Sequence, residues 1–343
     1  VTKANYPGKL SARNREVNKI KVGQIGVGHP HAGGKMQAFR KSEEYEVVGV
    51  VEPDAKRRQY AESTGIYQGI PFLTEEQLLN RDGLQAVAVE TVVPDLLATA
   101  ETCIAAGKHI HLDKPAGLSL PHFKRVLDQA AKKHLLIQMG YMFRYNPGIV
   151  LLRDLLQKGW LGDPFEVHTV ISKKMDKSSR TKLEPQPGGM MLELGCHVID
   201  LVVQILGRPE EVTAFSQHAS AIDDTLQDNM LAVFSYPKAL ATVKTSCNEV
   251  NGFNRRHIVV CGSEGTFHLQ PFGKPTASLT LSNGRGKYSK GQQDIKFAGY
   301  TRYQDDVADM ARIIRREKDI DFSYEHDFFV QECVLKASKL PTS

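Results

Sequence analysis

Ile20-Lys21-Val22-Gly23-Gln24-Ile25-Gly26-Val27-Gly28-His29-Pro30-His31 is the stretch whose reading decides the fold. The apolar run Ile20–Val27 predicts a buried strand, and His31–Lys41 has the pattern of a helix. Between them, glycines at 26 and 28 let the backbone turn tightly and come close to a pyrophosphate, which the free N–H groups of the helix start would face. Gly26, Val27, Gly28, His29, Pro30 and His31 are therefore candidate dinucleotide-binding positions. His31 stands where a third glycine is usual, leaving Ala32 or Gly33 to allow close helix–strand packing. Glu52 ends the next strand-like run, Val47–Val51. An acid there can accept hydrogen bonds from both ribose hydroxyls of NAD and repels the 2′-phosphate of NADP. The expected cofactor is NAD(H) in preference to NADP(H).

Working outward, the same alternation continues. Ala86–Val89, Ile110–Leu112 and Leu135–Met139 read as further buried strands. Ala55–Ser63, Glu75–Leu79, Pro94–Ala106 and Pro121–Lys133 read as helices. Strands and helices in turn, joined by short loops, predict a parallel, doubly wound sheet. After about residue 145 the rhythm changes. Helix-like Gly148–Lys158 leads to strand-like Phe165–Ser172, a polar loop and the apolar helix candidate Met190–Leu206. Alternating runs follow at Val212–Ser216, Met230–Tyr236, Ala239–Ser246, His257–Cys261 and Thr266–Gln270, then a Gly/Lys/Ser-rich hairpin or loop at Gly273–Gly299. Helix candidates Tyr303–Arg316 and Asp327–Ala337 close the chain. The expected organisation is an extended basic arm at 1–19, an α/β Rossmann domain at 20–143, and an α+β domain with a mostly antiparallel sheet at 144–343. The closing helices are expected to pack back on the first domain.

The formal charge of +5 is local. Lys3, Lys9, Arg13, Arg15, Lys19 and Lys21 against Glu16 account for all of it, so no basic face for nucleic acid is implied. Cys103, Cys196, Cys247, Cys261 and Cys333 lack paired spacing and read as small buried hydrophobes. No apolar run is long enough to cross a bilayer. The expected location is cytoplasmic, with export behind a removed signal as the alternative.

Two further segments carry chemistry. In Gly107-Lys108-His109-Ile110-His111-Leu112-Asp113-Lys114-Pro115, a strand ends on a lysine between an aspartate and a proline, a way to aim one ammonium group. In Pro187-Gly188-Gly189-Met190-Met191-Leu192-Glu193-Leu194-Gly195-Cys196-His197-Val198-Ile199-Asp200, helical spacing puts Glu193, His197 and Asp200 on one face of a buried helix. That stripe is either a satisfied internal network or a narrow solvated face, or else a general base, His197, held by Glu193. His109 and His111 could ligate metal from one strand face, but no third ligand is evident, and no metal is expected. Lys173, Lys174, Lys177, Arg180 and Lys182 read as solvated loop charge, with an acidic or phosphorylated sugar as the alternative target.

Together these motifs resemble the glucose–fructose oxidoreductase/inositol dehydrogenase/MocA (Gfo/Idh/MocA) family from about residue 20 onward. The Gly-x-Gly loop matches Gly26 and Gly28, and the acid after the second strand matches Glu52. The Ala-Gly-Lys-His-x-x-x-Glu-Lys-Pro signature matches Ala106–Pro115, with Asp113 for glutamate. The Gly-Gly-x-x-x-Asp-x-Gly-x-His-x-x-Asp motif matches Gly188–Asp200, with Glu193 for aspartate. The family's Thr-Pro-Pro-x-x-His loop is altered here to Thr91-Val92-Val93-Pro94-Asp95-Leu96. The resemblance implies hydride transfer to or from a carbinol carbon of a sugar or polyol. Lys114 would polarise the oxygen, His197 would act as acid/base and Glu193 would orient it. Thr91, Val92, Asp113 and Lys114 would contact cofactor, and Tyr141, Asp200 and Lys173 are substrate candidates. It also implies a homodimer or homotetramer through the second-domain sheet. The rivals are an NAD-dependent glycosidase on the same fold and a catalytically silent sugar or nucleotide sensor.

Overall fold

The structure is a computed structural model that describes residues 18–343. The arm expected at 1–19 lies, but for residues 18 and 19, outside the described residues. The first half forms β1 (Ile20–Ile25), α1 (Ala32–Lys41), β2 (Tyr45–Val51), α2 (Ala55–Ser63), α3 (Glu75–Leu79), β3 (Leu84–Val89), α4 (Leu96–Ala105), β4 (His109–Leu112), α5 (Leu120–Lys132) and β5 (Ile137–Met139). The strands pair in parallel in the order β2-β1-β3-β4-β5. Along β3 the residues Ala86, Val87, Ala88 and Val89 are all fully buried. They do not alternate between apolar and polar because both faces of a parallel sheet are covered. Caps fit the reading of local sequence. Asp54 accepts from Arg57 N–H at the start of α2, and Thr74 and Gln77 form a capping box on α3.

The second half forms α6 (Pro147–Gln157), β6 (Pro164–Val170), α7 (Lys177–Leu183), α8 (Cys196–Leu206), β7 (Glu211–Gln217), β8 (Asn229–Tyr236), β9 (Ala239–Ser246), α9 (Gly252–Arg255), β10 (His257–Gly262), β11 (Gly265–Leu269), β12 (Thr276–Leu281), β13 (Gly291–Lys296), α10 (Gln304–Ile314) and α11 (Tyr324–Ala337). Its sheet runs β13-β12-β11-β10-β6-β9-β8-β7, antiparallel except where β6 meets β9. One face, with Val167, Ala232, Phe234, Val243, Ile258 and Phe267, is buried in the main core. The other face carries the cross-strand row Thr213, Val233, Thr242, His168, Val259, His268, Ser278 and Asp294. The Gly273–Gly299 segment is a hairpin whose strands extend this sheet. The polar loop before the histidine helix contains α7, capped by Asp176.

The last two helices tie the halves together. Val307, Met310 and Ala311 of α10 pack with Ile20, Val22, Phe39 and Tyr45 of the first sheet and α1. On α11, Gln331 accepts from Ala116 N–H at 3.0 Å and donates to the Gly117 carbonyl at 2.8 Å. The turn after Lys114 is thereby clamped by a residue more than two hundred positions away.

Candidate active site

Strand order reverses between β1 and β3, and the crevice beyond their carboxyl ends is where an open α/β sheet binds its ligand. Four strand-end loops meet there. Gly26 has φ +89°, and a Cβ on it would lie 2.5 Å from the Thr91 nitrogen. No side chain could occupy that gap. A Cβ at Gly28 would lie 3.0 Å from Val92 Cγ1 and 3.3 Å from Arg57 Nε. Glu52 holds the loop: Oε2 accepts from Val27 N–H at 2.8 Å and Oε1 from Asp54 N–H at 3.0 Å. Each oxygen keeps a lone pair for a ribose hydroxyl. The close packing expected of Ala32 or Gly33 falls partly to Gly34, whose missing Cβ makes room for Tyr303 Cε2, 2.6 Å from where it would stand. These features fit a dinucleotide: the glycine cradle would hold its phosphates and Glu52 would meet its ribose.

A hollow of about 200 Å³ opens between Gly28, His29, Pro30, Val92 and Val93 on one side and Lys173, Met175, Lys182 and Glu193 on the other. A larger one of about 420 Å³, between α6, α8 and residues 320–326, contains none of the expected site residues. Geometry and chemistry both select the smaller hollow.

Behind Glu193, and not itself on the wall of the hollow, Lys114 is 1% exposed. Its Nζ donates to the Glu193 carbonyl at 2.7 Å and lies 3.9 Å from the Glu193 carboxylate. Burial disfavours the ammonium, but the negative charge of Glu193 first, and then of Asp113, outweighs it and holds the pKa above the usual lysine value. Burial likewise works against the Glu193 carboxylate, yet Lys114 and neighbouring cations keep its pKa below the ordinary value. His197 is 1% exposed, and its ring lies 5.6 Å from His31, 6.3 Å from Tyr141 and 5.4 Å from Phe143. Its Nδ1 has no hydrogen-bond partner among the described residues. Burial, then Lys114, depresses its pKa well below the usual value. The ring is therefore neutral near pH 7, as a proton acceptor must be.

Two expectations are corrected. Glu193 does not hold the His197 imidazole: no hydrogen bond joins them among the described residues. The cause is backbone geometry. Met191–Gly195 forms a π-turn, with Cys196 N–H bonded to the Met191 carbonyl, before α8 continues. The wider turn rotates Glu193 out of register with His197 and toward Lys114; such turns recur at functional sites. Gly195 belongs to it, since a Cβ there would stand 2.5 Å from Met191 Sδ. Asp200 is not exposed to a substrate. It is fully buried and accepts from Arg144 Nη2 at 2.6 Å, while Arg144 also reaches Asp327 at 2.6 Å and His326 lies 3.3 Å from Asp200. Tyr141 sits between the two groups, its ring nearly perpendicular to that of His197 and 5.0 Å from the Arg144 guanidinium.

Of the basic loop, Lys173 and Lys182 line the hollow. Arg180 is buried and paired with Asp224 and Asp228, so it is structural and not solvated charge. His109 and His111 have separate partners: His109 Nδ1 accepts from Leu136 N–H, and His111 Nε2 meets Lys35 Nζ. Arg57, beside Gly28, and Glu90, buried between β3 and the site, are the residues sequence reasoning missed. The basic run Lys56-Arg57-Arg58 was the available signal for the first; a lone acid ending an apolar strand was the signal for the second.

Two domain descriptions match the chain: an oxidoreductase-family, NAD-binding Rossmann fold over residues 20–141 and a GFO/IDH/MocA C-terminal domain over residues 149–268. Trans-1,2-dihydrobenzene-1,2-diol dehydrogenase of Macaca fascicularis is 26% identical over 195 residues, covering 56% of this chain and 58% of that protein. The chain thus spans less than two thirds of such relatives' length in the match. Inositol 2-dehydrogenase of Salmonella paratyphi B is 23% identical over 273 residues, 79% of this chain and 78% of that protein. An Agrobacterium radiobacter oxidoreductase, solved in complex with NAD+, L-tartaric acid and magnesium, superposes with a TM-score of 0.79 at 18% identity, covering 94% of this chain and 97% of that one. At that identity the likeness concerns the fold.

Proposed function

The chain belongs to the Gfo/Idh/MocA oxidoreductase family, and from that premise we propose that it moves a hydride between NAD and a carbinol carbon of a sugar, polyol or related cyclic diol. The observation that carries this reading is a buried ammonium, Lys114, bonded to Glu193 on the wall of the hollow, with a buried imidazole close enough to feel its charge, His197, whose Nδ1 has no hydrogen-bond partner among the described residues. NAD, when bound, supplies the hydride acceptor. Lys114 donates a hydrogen bond to the substrate oxygen and stabilises alkoxide character as it develops. His197 takes the hydroxyl proton. Glu193 keeps Lys114 charged and aimed. Tyr141 and Phe143 wall the imidazole and exclude water. Lys173, which lines the hollow, would meet an oxygen-rich substrate.

Our preference for NAD over NADP rests on the Glu52 carboxylate beside the glycine loop, which would meet a ribose hydroxyl and repel a 2′-phosphate; Arg57 beside Gly28 is the feature that pulls the other way. The test is coenzyme reduction by the purified chain across sugars, polyols and cyclic diols, with NAD+ and NADP+ in parallel. NADH formation that exceeds NADPH formation is expected. If no compound reduces either coenzyme, and neither coenzyme raises the unfolding temperature, the reading fails. We also propose that two or four copies associate through the open sheet face, where Phe215 and Leu240 are each more than half exposed. A solution mass of one chain would remove that part.

A further inference from the structure

The glycine loop departs from pattern at His31, and neither that side chain nor His29's is open to solvent. His29 Nε2 lies 3.0 Å from the Lys114 carbonyl. A carbonyl only accepts, so Nε2 carries the proton and Nδ1 holds a lone pair. His31 N–H points at that Nδ1 from 3.3 Å, which agrees with this tautomer and is a long contact that an ion on the same lone pair would replace. Yet the same Nδ1 faces Asp113 Oδ2 at 2.9 Å, with Glu90 Oε2 at 3.9 Å. Two lone pairs so close, away from water, repel unless a positive centre joins them. On the other side of the carboxylate, His31 Nδ1 lies 3.1 Å from Asp113 Oδ1. Asp113 Oδ2 and both Glu90 oxygens are buried with no hydrogen-bond partner among the described residues.

One ligating atom from each of His29, His31 and Asp113 lies within 4.8 Å of the others. Tetrahedral ligands on bonds of about 2.0–2.1 Å stand roughly 3.3 Å apart, so only small side-chain shifts separate this arrangement from coordination. Two imidazoles and a carboxylate suit zinc-like ions and not the all-oxygen preference of magnesium or calcium. The contact from His29 Nε2–H to the Lys114 carbonyl is the outer hydrogen bond that fixes a ligating histidine's tautomer. His31, whose side chain is 14% exposed, gives an entry path.

We propose that His29, His31 and Asp113, backed by Glu90, form a binding site for one divalent transition-metal ion that joins the glycine loop to the end of β4. This goes beyond the oxidoreductase reading, and its test uses no activity. The full chain is stripped with chelator and titrated with Zn2+, and with Co2+ for its visible absorption. One equivalent is expected per chain, with a raised unfolding temperature and nitrogen-ligated Co2+ bands. His31→Ala, at the most accessible ligand, should weaken binding by at least about tenfold and remove those bands. His168→Ala, in the histidine row His168, His257 and His268 on the open sheet, should leave both unchanged. The proposal is overturned if no stoichiometric ion binds, in which case a proton joins His29 to Asp113. It is equally overturned if His168→Ala, and not His31→Ala, removes the ion.

Discussion

His197 and Asp200 lie three residues apart on α8, yet they belong to two buried polar clusters of opposite character. Around Asp200 each charge is met: Arg144 donates to Asp200 and Asp327, His326 closes the group, and Phe322 stacks on the guanidinium at 4.0 Å. Around His197 and Lys114, acceptors are left over: His197 Nδ1, Asp113 Oδ2 and both oxygens of Glu90 have no partner among the described residues. Burying a polar group without a partner costs roughly 1–3 kcal/mol, and natural cores avoid it. A fold that closes one cluster so fully and leaves its neighbour open has the second arranged for something that binds there.

The strongest way to break this comparison is to open the closed cluster. Arg144→Met removes the guanidinium shared by two buried carboxylates. The expected loss is about 3–5 kcal/mol, since breaking a buried pair strands charge, and it should be read as a lower urea midpoint. Loss of well under 1 kcal/mol would mean that the two clusters are not distinct in kind. Lys114→Met is the matched change in the open cluster. The carboxylate partner of Lys114, Glu193, is 3.9 Å away and 15% exposed, so it can turn to solvent where Asp200 and Asp327 cannot; the unfolding midpoint should fall much less than for Arg144→Met, while turnover drops by roughly 10²–10³, the scale of a lost oxyanion donor. Full turnover, or a stability loss equal to that of Arg144→Met, would sink the assignment.

The two clusters also differ in how far sequence could reveal them. The glycine loop, Glu52, Lys114 and His197 were legible because each is local: a strand, a turn and a charged residue within a few positions. The parallel sheet was legible for the same reason, through apolar runs such as Ala86–Val89. The closed cluster was not, because Arg144, Asp200 and Asp327 are far apart in the chain and nothing in their neighbourhoods announces the meeting. The π-turn was hidden too. Helical spacing placed Glu193 and His197 together, and only Gly195 hinted that the spacing did not hold. His29 and His31 were legible as loop residues but not as partners of Asp113, some eighty positions on. The hairpin at 276–296 was ambiguous because its outward face is polar and its strands lie at the sheet edge.

A third network calibrates both clusters. Glu101 accepts from Arg125 Nε at 2.8 Å, His122 at 2.9 Å and Gln129 at 3.0 Å, one partner more than the two carboxylates Arg144 gathers, but solvent reaches all of them. Its bond to Arg125, ahead of the opposing burial and the bonds to His122 and Gln129, lowers its pKa to about 2 from 4.5. Taken at face value that shift is about 3 kcal/mol, but screening at an exposed site reduces it to roughly 1 kcal/mol or less. The sign follows from linkage: a carboxylate whose folded pKa is depressed adds stability above its unfolded pKa and loses it as pH falls through the folded one. Glu101→Gln should therefore cost no more than about 1 kcal/mol at pH 7, measured by urea unfolding. The difference from the unsubstituted chain should shrink steadily below about pH 4.5. A cost matching that of Arg144→Met would show that partner number, not burial, sets the worth of these networks, and the contrast along α8 would lose its physical basis.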